Sequence, residues 1–391
     1  MTDELTVATK KPLFRPANII FSIIVLAGMV AVFIRFTKGL GAVTNLSADN
    51  PWGIWIWFKL VAVSLAGAGY VTCGAAYVFG MKKYHTAVRP AVLIGLLGYS
   101  LFAVSLILDL GRPLRLPYPF VVSQGTTSIL FEIGLCVAFY LTVLLLEFSP
   151  AGLEWLGLRK IRNVAVKMTM GLTIFGIVLS TLHQSSLGAL YLSAPSKLHP
   201  LWYSGYLPIY FFITSIFGGL SMVIFVSWLS DRYFADKMDT TYLEEKNGVI
   251  LGFGKAAALV MAGYFIIRVF GISTDNSWHY LFSGWGVLLA IELLGFVLLP
   301  SLLYAMGARE KNIRLIKWTS VLTILGIIFN KFNMSILAFN WQLSPADRYF
   351  PSGLEIVLTV FLITLGILAF RFIASQMPVL YEHKDYQTST H

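Results

Sequence analysis

Along the chain, runs of about twenty apolar residues alternate with short polar connectors, and the alternation repeats ten times. The runs fall at roughly 17–36, 54–80, 91–110, 127–148, 164–190, 207–231, 253–272, 283–306, 316–338 and 354–374. A helix of about 20 residues crosses the hydrocarbon core of a bilayer, so each run reads as one transmembrane span. Pro51, Pro90, Pro113, Pro150, Pro208 and Pro351 punctuate the joints. The longest polar segment, Asp231–Asn247, mixes both charges and reads as a solvated linker. The expected fold is an all-α polytopic membrane protein in a single integral membrane domain. A first helix (17–36) precedes one four-helix set (54–190) and a second (207–338), and a last helix (354–374) closes the chain. Glu132 and Glu292 stand at comparable depth in the two sets, a faint sign of a parallel duplication. No span is expected to be broken at the midplane.

Composition leaves no room for a soluble domain of any size. Of 391 residues, 57% are hydrophobic and 12% charged, against about 25% charged in soluble domains. The net charge of +10 does not point to nucleic acid, because the basic residues sit in short connectors, where they report topology. With both termini inside, Lys10, Lys11, Arg15, Lys82, Lys83, Arg89, Arg159, Lys160, Arg162 and Lys167 lie on the inner side. Arg232, Lys237, Lys246, Arg309, Lys311, Arg314, Lys317, Arg371 and Lys384 join them. The outer connectors keep only Lys38, Arg112, Arg115, Lys197 and Arg348. This bias predicts cytoplasmic termini. The N-terminal run shows no small-residue cleavage site and reads as an uncleaved first helix.

The same orientation sorts the polar residues inside the spans by depth. A charge at mid-bilayer costs about 2.5–3.5 kcal/mol on insertion scales, so such residues face protein or water. Lys59 lies about 10 Å into span two, at 1.5 Å per residue. Asp109 ends span three, Glu132 stands a turn inside span four, and His183 and Gln184 lie near the outer end of span five. Lys59, Asp109, Arg112, Glu132 and His183 therefore converge at one depth on the outer side. Each also has a plainer reading: a snorkelling lysine, an Asp109–Arg112 pair at i, i+3, a histidine that only joins two helices. Glu147, at the inner end of span four, reads first as an interfacial acid. Arg268, Lys331 and Glu355 fall near the outer boundary, where a structural role suffices. Trp52, Trp55 and Trp57 fit an interfacial aromatic belt, and "GAGYVTCG" (67–74) fits close helix packing.

Cofactor chemistry narrows from here. Cys73 and Cys136 both lie in apolar runs and supply no cluster motif. Two facing membrane histidines are needed for bis-histidine haem, whereas His85, His199, His279, His383 and His391 fall in connectors or the tail and leave His183 alone. No P-loop, GxGxxG element or metal-spaced Cys/His group is present. What remains is a small-molecule pocket with apolar walls and a few proton-exchanging groups.

"NPWGIWIWFKL" opening a helix, "LDLGRPLRLPYPF" closing the next, "SILFEIGL" and "HQSSLGALYLSAPSKLHPLW" together resemble the NrfD-type quinone-interacting membrane subunits. The likeness runs from about Pro16 to Met377 and is nearest to the ten-helix membrane subunit, the so-called b-type cytochrome, of hydrogenase-2-type nickel–iron hydrogenases. It implies two four-helix bundles with no haem or iron–sulfur cluster in this chain, in a bacterial inner membrane. It implies a quinone, menaquinone or ubiquinone, near the outer face. The implied partners are a periplasmic ferredoxin-like iron–sulfur protein, hydrogenase small and large subunits or another periplasmic redox enzyme, and membrane lipid. Carried over, the site comprises Trp55, Lys59, Asp109, Arg112, His183 and Gln184, with Glu132 added from depth. His183, Asp109 and Glu132 are the expected catalytic groups, and Glu132 with Glu147 the expected proton path. One departure stands out: an acid is expected at Lys59, and another in span six where this chain reads "VIFVSWL". A molybdoenzyme or multihaem cytochrome complex would use the same subunit type. A secondary transporter is the rival of another class, disfavoured by the scarcity of mid-membrane polar residues.

We expect the purified subunit to show no b-type α-band in a reduced-minus-oxidised spectrum. One haem per chain would overturn the single-histidine argument.

Overall fold

The computed structural model describes residues 16–381. Lys10, Lys11, Arg15, His383, Lys384 and His391 lie outside the described residues. All ten spans form helices long and apolar enough to cross a membrane: Asn18–Lys38, Ile54–Val78, Lys82–Asp109, Ile129–Trp155, Arg159–Leu192, Leu207–Tyr233, Thr240–Thr274, Gly284–Arg309, Ile313–Leu337 and Gly353–Gln376. The chain is a multi-pass, all-α membrane protein, and the described residues contain no strand beyond a single bridge between Leu198 and Phe339. The end carrying Asp109 is called upper here, and the end carrying Arg159 and Arg232 lower.

Several helices run further at the lower end than the apolar pattern indicates. Pro90 and Pro150 are not joints but lie inside spans three and four. Proline removes one backbone donor and strands the carbonyl four residues back. At Pro150 that carbonyl is Leu146 O, and the neighbouring Ser149 hydroxyl donates to it at 2.7 Å. The segment read as a linker is mostly helix as well. Asp239 accepts from Tyr242 N at 2.7 Å and caps span seven at Thr240. Its first charged turn is then held from outside, since Asp231 accepts from both Lys246 (2.7 Å) and Lys317 (2.8 Å).

The spans run continuously, as expected, but three of them depart locally from α-helical geometry. Span two has a joint at Gly67 and a π-helical turn over Gly74–Val78, and span nine ends in one over Asn333–Leu337. Span eight widens to a π-helix over Ile291–Leu298. Each such turn re-aims the side chains that follow it.

Spans two to five pack on one another, as do spans six to nine, and spans one and ten pair along the outside of spans two and three. The two sets meet where span two crosses span six. A Cβ on Gly67 would fall on the Ser215 carbonyl oxygen, and one on Gly219 would fall on the Gly67 backbone. Only glycine permits this approach, and Tyr70 OH and Ser215 Oγ bond across it at 2.8 Å.

We expect Gly67→Val and Gly219→Val to exceed the about 1–3 kcal/mol of ordinary overpacking and to abolish accumulation of the folded subunit in membranes. Gly171→Val, on span five with open space around it, should accumulate normally.

Candidate functional site

At the upper end the residues expected to converge divide into three groups, because they share depth but not direction. Trp55 and Lys59 stand four apart on span two and face spans one, three and ten. Trp55 is buried with Ala31, Phe58, Leu108, Leu358 and Phe361, so it is core and not an interfacial belt residue. The other two belt candidates are also packed inward. Trp52 stacks on Phe339 at 4.7 Å, and Trp57 Nε1 donates to Ile328 O at 3.0 Å. Lys59 Nζ contacts Asp109 Oδ2 at 2.6 Å, an ion pair with little solvent on either side. The lysine therefore does not snorkel, and Asp109 pairs with Lys59 and not with Arg112.

Arg35, which the sequence reading passed over, completes this group. It lies on span one, the least buried span at 17% of its apolar window, yet is itself only 2% exposed. Its Nε donates to Leu108 O (2.7 Å) and its Nη2 to Leu110 O (2.6 Å). The last carbonyls of a helix lack internal partners, and a cation there also suits the helix dipole. Arg35 thus caps span three on both sides of Asp109 and holds the turn that presents the carboxylate.

The second group lies in the interior of spans two to five. His183 is fully buried, with the rings of Tyr99 at 5.3 Å and Phe102 at 5.5 Å. Both of its ring nitrogens lack a hydrogen-bond partner among the described residues. Gln184 Nε2 donates to Val63 O at 2.9 Å, while its Oε1 is unpartnered. Tyr99 OH, Tyr140 OH, Ser105 Oγ, Ser180 Oγ and Thr72 Oγ1 are buried and unpartnered in the same interior. Ser105 is one turn below Asp109 on span three, which links this group to the ion pair. Buried polar atoms are nearly always satisfied, so a concentration of exceptions marks a place for water or a ligand.

The third group faces outward. Glu132 is exposed on span four and accepts from Ser186 Oγ at 2.7 Å, while Arg112 is exposed in the connector after span three. Glu147 is far below, accepting from Thr173 Oγ1 at 2.9 Å. It lines a cavity of about 700 Å³ that opens at the lower end among Cys73, Lys82, His85, Arg89 and Arg162. At that cavity Glu154 holds both Arg89 (2.7 Å) and Arg162 (2.9 Å), and Arg89 also binds the carbonyls of Pro378 and Tyr381.

Of two histidines expected in connectors, His199 lies in one and His85 does not. His85 opens the helix of span three, and His199 is completely buried beneath the upper connectors. Among the described residues no group of three His, Cys, Asp or Glu side chains is arranged to hold a metal ion.

A ten-span bundle with a histidine-centred polar interior under one end defines a polytopic membrane protein. More particularly, the chain belongs to the NrfD family (polysulphide reductase, NrfD), whose model matches residues 42–340. A protein of Nitratidesulfovibrio vulgaris is 61% identical over 97% of this chain and 98% of its own length. The probable Ni/Fe-hydrogenase 2 b-type cytochrome subunit of Escherichia coli is 29% identical over 95% of this chain and 94% of its own. The menaquinone reductase integral membrane subunit of N. vulgaris is 25% identical over 90% and 88%.

Arg35→Ala removes two charge-assisted hydrogen bonds, each worth about 1.5–3 kcal/mol. We expect amide hydrogen exchange at 108–112 to rise at least tenfold, with Arg35→Lys intermediate. Unchanged protection would show that the cap does not hold the turn.

Proposed function

We propose that this chain is the quinone-reactive membrane subunit of a periplasm-facing redox complex, with both termini in the cytoplasm and the upper end toward the periplasm. The observation that carries the reading is the set of unpartnered buried atoms around His183. A quinone presents two carbonyl oxygens that accept hydrogen bonds and a flat ring that suits apolar walls. His183, Tyr99 and Ser105 have donors to spare, and Phe102 supplies an aromatic wall. The donor set fits. The names of the Escherichia coli and menaquinone reductase relatives support the same class of complex. A nickel–iron hydrogenase, reached through a periplasmic ferredoxin-like iron–sulfur protein, is the partner we favour, and a molybdoenzyme or multihaem cytochrome complex is the alternative.

When bound, the quinone supplies two-electron redox chemistry, and the chain supplies position and protons. His183 would donate to one carbonyl oxygen. The Lys59–Asp109 pair holds one proton between two groups in contact; it would pass that proton to the site only as another enters from the upper side, because the pair without it carries a net negative charge. Gln184, tied to Val63 O, holds span five against span two at the level of His183. Glu132, one turn from His183 through Ser186, serves the site from its outward face. Arg112, in the exposed connector, adds positive potential at the rim.

A proton path from the cytoplasm would begin at Glu147, which already lines the lower cavity. From there Tyr140 and Tyr99 are the next hydroxyls upward, with ring centroids 4.6 Å apart, and Tyr99 faces Ser180 and Gln184 beside His183. This route reaches His183 through the bundle interior and needs no acid at Lys59.

His183→Ala and Asp109→Asn should each cut quinone-linked turnover of the complete complex by about 100-fold or more, within the range for a lost proton donor, with subunit levels unchanged. Normal turnover in either variant would remove its assigned role. Glu147→Gln should keep turnover in detergent and lose most of the proton movement into vesicles. A parent-like ratio of protons to electrons would exclude Glu147 from the path.

A further inference from the structure

The second four-helix set holds a buried charged cluster that the quinone reading does not use. It begins with the π-helical stretch of span eight, which brings Glu292 inward to 1% exposure. Three neutral donors occupy its carboxylate: Trp202 Nε1 (3.0 Å), Asn330 Nδ2 (2.7 Å) and Asn333 Nδ2 (2.7 Å). Arg268 Nη2 stands 3.9 Å away, with its guanidinium over the Tyr210 ring. Lys331 is 1% exposed, and its ammonium rests 3.6 Å from the centre of the Phe211 ring, with Thr214 Oγ1 at 3.3 Å.

Two cations therefore share one carboxylate in the buried interior of spans six to nine, and neither touches it closely. A cluster that served stability alone would match each charge at contact, and well-packed apolar residues would serve as well or better. Lys331 is the anomaly. It has three N–H donors and one long hydrogen bond, and of the two cations only a lysine sheds its proton. The groups facing the cluster are Thr214, Phe211 and Tyr210 on span six, Arg268 and Tyr264 on span seven, Glu292 on span eight, and Asn330 and Asn333 on span nine. From the upper connector come Trp202 and His199, whose imidazole is held down to about 4 by burial and so is uncharged at neutral pH. Arg268 Nε, Asn333 Oδ1 and His199 Nε2 are buried without partners, leaving hydrogen-bonding capacity for water above the cluster. Below it the Tyr304 and Ser221 hydroxyls bond at 2.8 Å, with Thr323 beside Tyr304. Thr323 is two turns from Lys331, roughly 12 Å along the helix.

We propose that the upper end of spans six to nine is a second proton-exchanging centre, in which Lys331 takes up and gives back one proton against the fixed charges of Glu292 and Arg268. The step moves H⁺ alone, between the amine and water or the hydroxyls below, and the cluster alternates between zero and one net positive charge. Span nine also touches span two, through Trp57 Nε1 on Ile328 O and the Trp57–Phe332 ring contact at 6.0 Å. The charge therefore changes beside the helix that carries Lys59. The inference goes beyond the quinone reading, and none of its residues belongs to that site.

The test is infrared difference spectroscopy of the complete complex between mildly acidic and alkaline pH. A carboxylate stretch that disappears in Glu292→Gln should shift with pH in the parent and stay fixed in Lys331→Arg, which keeps length and charge but does not release its proton. In sealed vesicles Lys331→Arg should at least halve the protons moved per electron pair, with turnover in detergent within twofold of the parent. A Glu292 band that ignores pH, or titrates equally in Lys331→Arg, overturns the proposal, as does an unchanged proton-to-electron ratio. Absence of quinone turnover in the parent complex would instead sink the quinone reading, which the infrared measurement does not depend on.

Discussion

A polar atom buried in a hydrocarbon slab finds a partner in the protein or takes one from elsewhere, because no bulk water is at hand. Most features of this molecule follow from that constraint. Arg35 crosses from span one to satisfy the last carbonyls of span three, and Ser149 takes the carbonyl that Pro150 leaves free. Glu154 collects two arginines, and Glu292 collects three neutral donors from two directions. Where the matching is this thorough, the exceptions carry information. Most of them gather around His183, in a set of helices otherwise sealed by Tyr, Phe and Leu, and a smaller group borders Glu292 in the second set. A folding defect would scatter them, whereas a site for a polar-tipped apolar ligand would concentrate them.

The number of spans was legible in the apolar runs. Direction around each helix was not. Successive residues turn by about 100°, so residues at one depth on four helices can face four ways. Lys59 and Asp109 turn toward each other, His183 turns to the centre, and Glu132 turns outward. No spacing rule separates these cases when apolar residues lie on every face, as they do here. The lower helix ends were misread for a different reason. Proline and charge signal a stop in water, yet Pro150 was accommodated by a neighbouring hydroxyl and the charges of span seven by Asp231. Arg35 escaped notice because a basic residue near a span end looks like topology. Its partners, the carbonyls of Leu108 and Leu110, belong to backbone more than seventy residues away.

The two four-helix sets treat charge differently at the same end. In the first, Lys59 and Asp109 cancel at contact, and Arg35 beside them spends its donors on backbone carbonyls. The site around His183 is left neutral, which suits an uncharged ligand entering from lipid. In the second, the carboxylate is saturated by neutral donors and the cations stand back, so one positive charge is carried without a close counter-ion. The Gly67–Gly219 crossing binds these unlike halves rigidly.

That arrangement also assigns more than anchoring to spans one and ten. Trp55 and Lys59 face outward from their own four-helix set, and without the flanking pair they would meet lipid. Phe361 of span ten closes over Trp55 in the same cluster, and the absence of a side chain at Gly28 lets span one lie directly on the Phe361 ring. Span one, though mostly lipid-facing, is thereby locked at two points: its glycine against span ten and its arginine against the turn after span three. The Lys59–Asp109 pair owes its low-dielectric surroundings to that lock. In such surroundings the attraction between two charges in contact is stronger than at a wet surface. A helix that is mostly exposed therefore sets the surroundings of the pair, and through Ser105 and span three it reaches the interior that His183 occupies.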